Sequence, residues 1–244
     1  MFYAFIFSFI CFALSCVGAA CVFFVKNVNE KLEAFLYSFA GGVMVASGIF
    51  SLIIPAIDYC KDLSLKDFII LPICFLLAFV TQSLINFKER TTGINISSLT
   101  LGIALHNVPE GMCVGFAFAS AAYFGTHAAF MSAIMIAIGI GIQNIPEGSA
   151  TAFPICSIGK TKRKAFLTSM LVGFVEVPAA IIAYLIGLKF VFLLPYMLAF
   201  AAGIMINVAV CDLMPEAISK NKKHANLFFF LGFLLMMTLD LALG

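Results

Sequence analysis

The sequence predicts an all-α membrane protein of eight transmembrane helices arranged as inverted repeats, with a polar site at the midplane between spans four, five and six. Three observations predict it. Hydrophobic residues make up 63% of the 244 and charged residues 11%, with a mean hydropathy of +1.12; soluble domains run at roughly 45–50% apolar and about 25% charged. The apolar runs reach the ~20 residues a spanning helix needs, not the alternating segments of a barrel. Two motifs also recur, each in a pair of spans that run in opposite directions.

The elements follow in order. Span one, 2–25, has its first lysine after the apolar run, the reverse of a signal peptide, so Gly18-Ala19-Ala20-Cys21 is not read as a cleavage site. Span two, 34–57, carries Phe39-Ala40-Gly41-Gly42-Val43-Met44-Val45 and reaches Pro55 near its end. Span three is 68–87. Spans four and five, 97–122 and 127–152, hold the related hexapeptides His106-Asn107-Val108-Pro109-Glu110-Gly111 and Gln143-Asn144-Ile145-Pro146-Glu147-Gly148. Span six, 164–187, contains Glu176 followed by Pro178. Span seven, 191–216, repeats the second motif as Phe200-Ala201-Ala202-Gly203-Ile204-Met205-Ile206 and reaches Pro215. Span eight is 225–243. Short polar loops separate them at 26–33, 58–67, 88–95, around Gly125, at 159–164, at Leu188-Lys189 and at 220–224. Residues 1–244 thus form a single polytopic transmembrane domain.

Basic residues orient it. Loops one, three, five and seven carry Lys26, Lys31, Lys88, Arg90, Lys160, Lys162, Arg163, Lys164, Lys220, Lys222 and Lys223; the opposite loops carry only Lys61, Lys66 and Lys189. The positive-inside rule puts the first group in the cytoplasm and both termini outside. The net charge of +2 reflects these anchors and implies no nucleic acid. The eight cysteines show no CxxC spacing and read as small buried hydrophobes.

In that topology each motif occurs in two antiparallel spans, the pattern of inverted-repeat transporters, whose substrate site lies near the midplane. His106, Asn107 and Glu110 share one helix face, as do Gln143, Asn144 and Glu147. Taken singly, His106 could be a packing histidine and the asparagines interhelical glue. A carboxylate near the bilayer centre costs roughly 2.5–3.5 kcal/mol, and Glu110, Glu147 and Glu176 lie at similar depth with no Lys or Arg to neutralise them. A cation is the natural counter-charge. Imidazole plus carboxylate suits Zn, Fe(II), Mn, Co or Cd, whereas Mg or Ca would favour an all-oxygen cage and Cu(I) thiolates.

At these residues the chain resembles the ZIP (ZRT/IRT-like) family of divalent-metal transporters, in the manner of compact bacterial members. The resemblance rests on eight spans, both termini outside, the paired HNxPEG-type motifs and the Glu of span six. It implies a binuclear metal centre built by His106, Asn107, Glu110, Asn144, Glu147 and Glu176. It also implies a further ligand at Met44, and Asp58 at the outer end of span two as an attractor of incoming cations. Gln143 stands where many members have His, which bears on the ligand count of one metal position. Cys211, Asp212 and Glu216 fall at the inner end of span seven, where relatives carry further ligands.

The expected function is transport of divalent transition-metal cations, zinc foremost and iron, manganese or cadmium besides, into the cytoplasm. No reaction is catalysed and no organic cofactor is needed. The expected partners are the metal ions and membrane lipids, with a homodimer allowed, and the expected location is the plasma (cytoplasmic) membrane. The alternatives are an intramembrane metalloenzyme, disfavoured by only three histidines and no HExxH, and a metal sensor that does not conduct.

Overall fold

The computed structural model describes residues 1–25, 28–60, 65–92 and 98–243, with side chains described except at 65–66, 85–92, 98–105 and 243. Lys26, Lys61 and Asn95, and the side chains of Lys66, Lys88 and Arg90, lie outside the described residues. Among the described residues there is no strand. The helices are α1 Phe2–Ala20, α2 Glu30–Ser47, α3 Ile54–Tyr59, α4 Leu65–Thr92, α5 Ser98–Phe124, α6 His127–Ser157, α7 Lys162–Phe174, α8 Glu176–Gly187, α9 Leu194–Val208 and α10 Met214–Leu243.

Local chemistry sets several ends. Asn29 Oδ1 accepts from the Leu32 N–H at 2.9 Å, Thr126 Oγ1 from Ala129 at 3.2 Å and Thr161 Oγ1 from Lys164 at 3.2 Å, satisfying donors that a helix N-terminus leaves bare. Gly125 (φ 62°) and Gly159 (φ 83°) turn the chain before α6 and before α7 in a conformation that favours glycine.

Six segments among the described residues are long and apolar enough to cross a membrane: Phe2–Phe23, Glu30–Tyr59, Asp67–Leu84, His127–Ser157, Lys162–Gly187 and Val191–Ala242. The helices depart from the expected spans in physically readable ways. Span six is divided at Val175, because Pro178 has no N–H for the Phe174 carbonyl. The expected loop at 220–224 narrows to a kink at Asn221 (φ −154°, ψ 81°), where two helical stretches of α10 meet. Its lysines are good helix formers, so the break is confined to that kink.

Four intimate helix pairs dominate the packing: α1 with α6, α5 with α8, α2 with α10 and α4 with α9. Exchanging α5 with α6, α1 with the α7–α8 pair, α2 with α9 and α4 with α10 maps this set of pairs onto itself. The recurring Phe-Ala motifs obey the same exchange. A Cβ on Gly42 would fall on the Phe229 carbonyl of α10, and one on Gly203 would press on the Phe75 carbonyl of α4. A π-helical turn opens six residues further on in each case, over Gly48–Ile53 and Ala209–Leu213. Pro55 and Pro215 follow these turns, and the missing proline N–H is one reason the hydrogen-bond ladder shifts there.

Candidate metal centre

The two hexapeptides meet where α5 and α6 lie side by side. Pro109 and Pro146 cannot bond the Leu105 and Ile142 carbonyls, so both helices carry a local defect at this level. The glycine that closes each hexapeptide lets a further helix in. A Cβ on Gly111 would fall on the Glu176 carbonyl of α8, and one on Gly148 on the Ser15 carbonyl of α1.

His106, Asn107, Glu110, Gln143, Asn144, Glu147 and Glu176 are all buried, none more than 2% exposed. They form two adjoining lobes. In the first, His106 Nε2 lies 3.2 Å from Glu147 Oε2. One ligand atom from each of His106, Glu110 and Glu147 can be chosen so that all lie within 4.8 Å of one another. Gln143 Nε2 donates to Glu110 Oε1 at 2.6 Å and reaches Met205 Sδ at 3.9 Å.

In the second lobe, Asn144 Nδ2 donates to Glu176 Oε2 at 2.8 Å and to the Cys11 carbonyl at 3.3 Å. Asn107 Nδ2 donates to the Val172 carbonyl at 3.2 Å. Val172 sits in the last turn of α7, where carbonyls lack intrahelical partners. Glu176 is the first residue of α8, so the break in span six sets its carboxylate at a helix N-terminus, where negative charge is favoured.

The unmade hydrogen bonds say what is missing. Glu110 Oε2, Glu176 Oε1, Asn107 Oδ1, Gln143 Oε1 and Asn144 Oδ1 are buried with no donor among the described residues. Each such oxygen costs about 1–3 kcal/mol if left bare. No Lys or Arg is buried among the described residues. Oxygen acceptors and an imidazole converging without a cationic side chain suit a bound cation of intermediate hardness.

The remaining candidates are Met44, Asp58 and the inner-end residues of span seven. Met44 is buried in α2 but makes no hydrogen bond to these seven residues among those described; the thioether beside Gln143 belongs to Met205, its counterpart in the second motif. Exposed Asp58 lines a cavity of about 320 Å³ with Ser51, Ser132 and Asp240. Ser51 Oγ donates to Asp240 Oδ1 there at 2.6 Å. Along α6 the cavity wall runs Ile136, Gly139, Ile142, ending one residue short of Gln143. Sequence reasoning missed Asp240, although a carboxylate in the last apolar run was a visible signal; Ser51 carried none. Among the described residues, Cys211, Asp212 and Glu216 do not come together as a group able to share one ion. Near that end Lys220 Nζ instead pairs with buried Glu33 at 2.8 Å.

Residues 86–240 match the family model described as ZIP zinc transporter. The chain is 46% identical over 150 residues to zinc transporter ZIP11 of Homo sapiens, a match covering 61% of this chain and 44% of that protein. It is 30% identical over 250 residues to zinc transporter ZIPB of Bordetella bronchiseptica, covering 96% of this chain and 79% of that protein. With zinc transporter ZupT of Corynebacterium glutamicum it shares 36% identity over 160 residues, covering 64% and 58%. The matches to the ZIP11 proteins span under half of those relatives' length.

Proposed function

Because the chain belongs to the ZIP zinc-transporter family, we propose that it carries divalent transition-metal cations, zinc foremost, across the membrane into the cytoplasm. The path runs through the buried centre of α5, α6 and α8. The observation that carries this reading is the set of five buried, donor-less oxygens gathered around the His106–Glu110–Glu147 cluster.

An incoming ion meets Asp58 and Asp240 first, then exchanges water for His106, Glu110 and Glu147 in one lobe. In the other lobe it exchanges water for Asn107, Asn144 and Glu176. Amide oxygens are weaker donors than imidazole or carboxylate, and Gln143 adds a further amide where a histidine would bind harder. Modest affinity suits a conductor, which must release what it takes up. No organic cofactor enters this scheme. Met44 remains a candidate ligand that would need to approach from α2.

The eight-span reading is supported by the six apolar segments together with α5 and a division of Val191–Ala242 at Asn221. The self-mapping of the helix pairs supports the inverted repeat. The basic residues of alternate loops support cytoplasmic placement of 159–164 and extracytoplasmic termini in a plasma membrane.

Flux of zinc, iron, manganese and cadmium in competition, measured in proteoliposomes holding the purified chain, tests the proposal. Metal-selective flux is the expected result. Metal binding without flux would mean a sensor. Hydrolysis or oxidation without flux would mean a metalloenzyme, an alternative that the similarities to zinc transporters do not favour.

A further inference from the structure

Cys11, on α1, is 1% exposed and is wired to the second lobe by its own backbone: its carbonyl accepts from the same Asn144 Nδ2 that holds Glu176. Its sulfur lies 3.3 Å from the Ala137 carbonyl, one acceptor for the S–H hydrogen. The thiol also lies within hydrogen-bonding reach of the Glu176 carboxylate. Glu176 Oε1 and Asn144 Oδ1, in residues 0% and 2% exposed, have no donor among the described residues. A buried thiol beside two donor-less oxygens marks a place where a cation can displace the S–H proton.

Resting on the metal-centre reading above, we infer that Cys11 supplies a sulfur ligand to the second lobe, beside Glu176 and Asn144, and biases it toward soft divalent cations such as cadmium. The same assignment explains how a lobe otherwise built from amides and one carboxylate holds a zinc-like ion, since sulfur is the donor that such ions prefer. Two more sulfurs must be told apart from it. Met205 Sδ belongs to the first lobe, beside Gln143. The Cys113 thiol, on α5, donates to the Met197 carbonyl at 3.7 Å.

The test is absorption spectroscopy of the purified full chain titrated with Co²⁺ and with Cd²⁺, beside Cys11→Ser, Cys11→Ala and Cys113→Ser. The expected result is a sulfur-to-metal charge-transfer band in the parent and in Cys113→Ser, absent from both Cys11 variants. The visible d–d bands of bound Co²⁺ persist in all four. Cd²⁺ affinity falls by about tenfold or more in the Cys11 variants while Mn²⁺ affinity stays level. If either Cys11 variant fails to fold, the parent spectrum alone still decides whether a thiol binds metal, and the Cys113 variant whether that thiol is Cys113. Co²⁺ d–d bands in the parent without a charge-transfer band would overturn the Cys11 assignment and leave the metal centre standing. A band that survives loss of Cys11 would do the same. Absence of any bound-metal spectrum would overturn both.

Discussion

His106 Nε2 of the first hexapeptide stands 3.2 Å from Glu147 Oε2 of the second, so the two repeats close on each other through an imidazole and a carboxylate. The contact is diagonal, joining the first residue of one copy to the fifth of the other. The complementary diagonal is Gln143 to Glu110, at 2.6 Å. Replacing an imidazole–carboxylate pair by an amide–carboxylate pair is thus the main asymmetry of the first lobe.

Glu110→Gln keeps the size of the side chain and an oxygen for Gln143 to donate to, but removes one of the centre's three carboxylates. Most metal flux should disappear in proteoliposomes while the protein still inserts and unfolds at a similar temperature. Transport like the parent's, with unchanged pH dependence, would sink the metal-centre reading. His106→Ala should lose affinity chiefly for zinc-like ions, with manganese less affected.

Gln143→His would restore chemical symmetry between the two diagonals. Zinc should bind tighter, by on the order of tenfold, or 1.4 kcal/mol, because imidazole is the better donor. Calorimetric titration reads this directly. Tighter binding need not speed flux, since release can become limiting; an unchanged affinity and an unchanged rate would place Gln143 outside the coordination sphere.

Uptake should fall as the outside pH falls. Carboxylate and imidazole ligands hold metal only in their deprotonated forms, so protons compete with the ion and binding releases them. Radiotracer uptake across a pH series tests the sign; uptake that rises on acidification would mean that protons drive the ion and do not compete with it.

Gly111→Val puts a side chain where the Glu176 carbonyl lies. Overpacking of this kind costs about 1–3 kcal/mol, and here it pushes α8 and Glu176 away from α5. A lower melting temperature in detergent together with weakened metal binding is expected. Gly148→Val should act alike through Ser15 of α1. A stable variant with parental affinity would show that the close approach is not needed.

Orientation can be read by single cysteines placed in 159–164, a stretch with Lys160, Lys162, Arg163 and Lys164. Impermeant reagents should label them only from the cytoplasmic side. Labelling of intact cells from outside would overturn the orientation and the antiparallel reading of the repeats together.

The hexapeptides were legible because polar and charged side chains at helical spacing are costly in an apolar run, whatever the fold. The break in span six was not read, although Pro178 carried the signal for it. Cys11 was not legible: nothing in Phe9-Ile10-Cys11-Phe12 tells which way the thiol points until α1 is packed on α6. Met44 and Met205 are indistinguishable as sequence, and only packing puts the second beside Gln143. The break at 220–224 was legible in its polarity; its narrowing to Asn221 was not, because lysines flanking a kink stay helical as readily as they loop.

The exchanged pairing of helices has a consequence for biosynthesis. α6 leans on α1, made more than a hundred residues earlier, and α5 leans on α8, made later. A nascent chain inserted only as far as α6 therefore holds Glu110 and Glu147 without the helix that carries Glu176, and Asn144 without its carboxylate partner. Contacts so distant in sequence form slowly. Assembly of the centre waits for α8, and until then Glu110 and Glu147 sit in a bundle that lacks their third carboxylate.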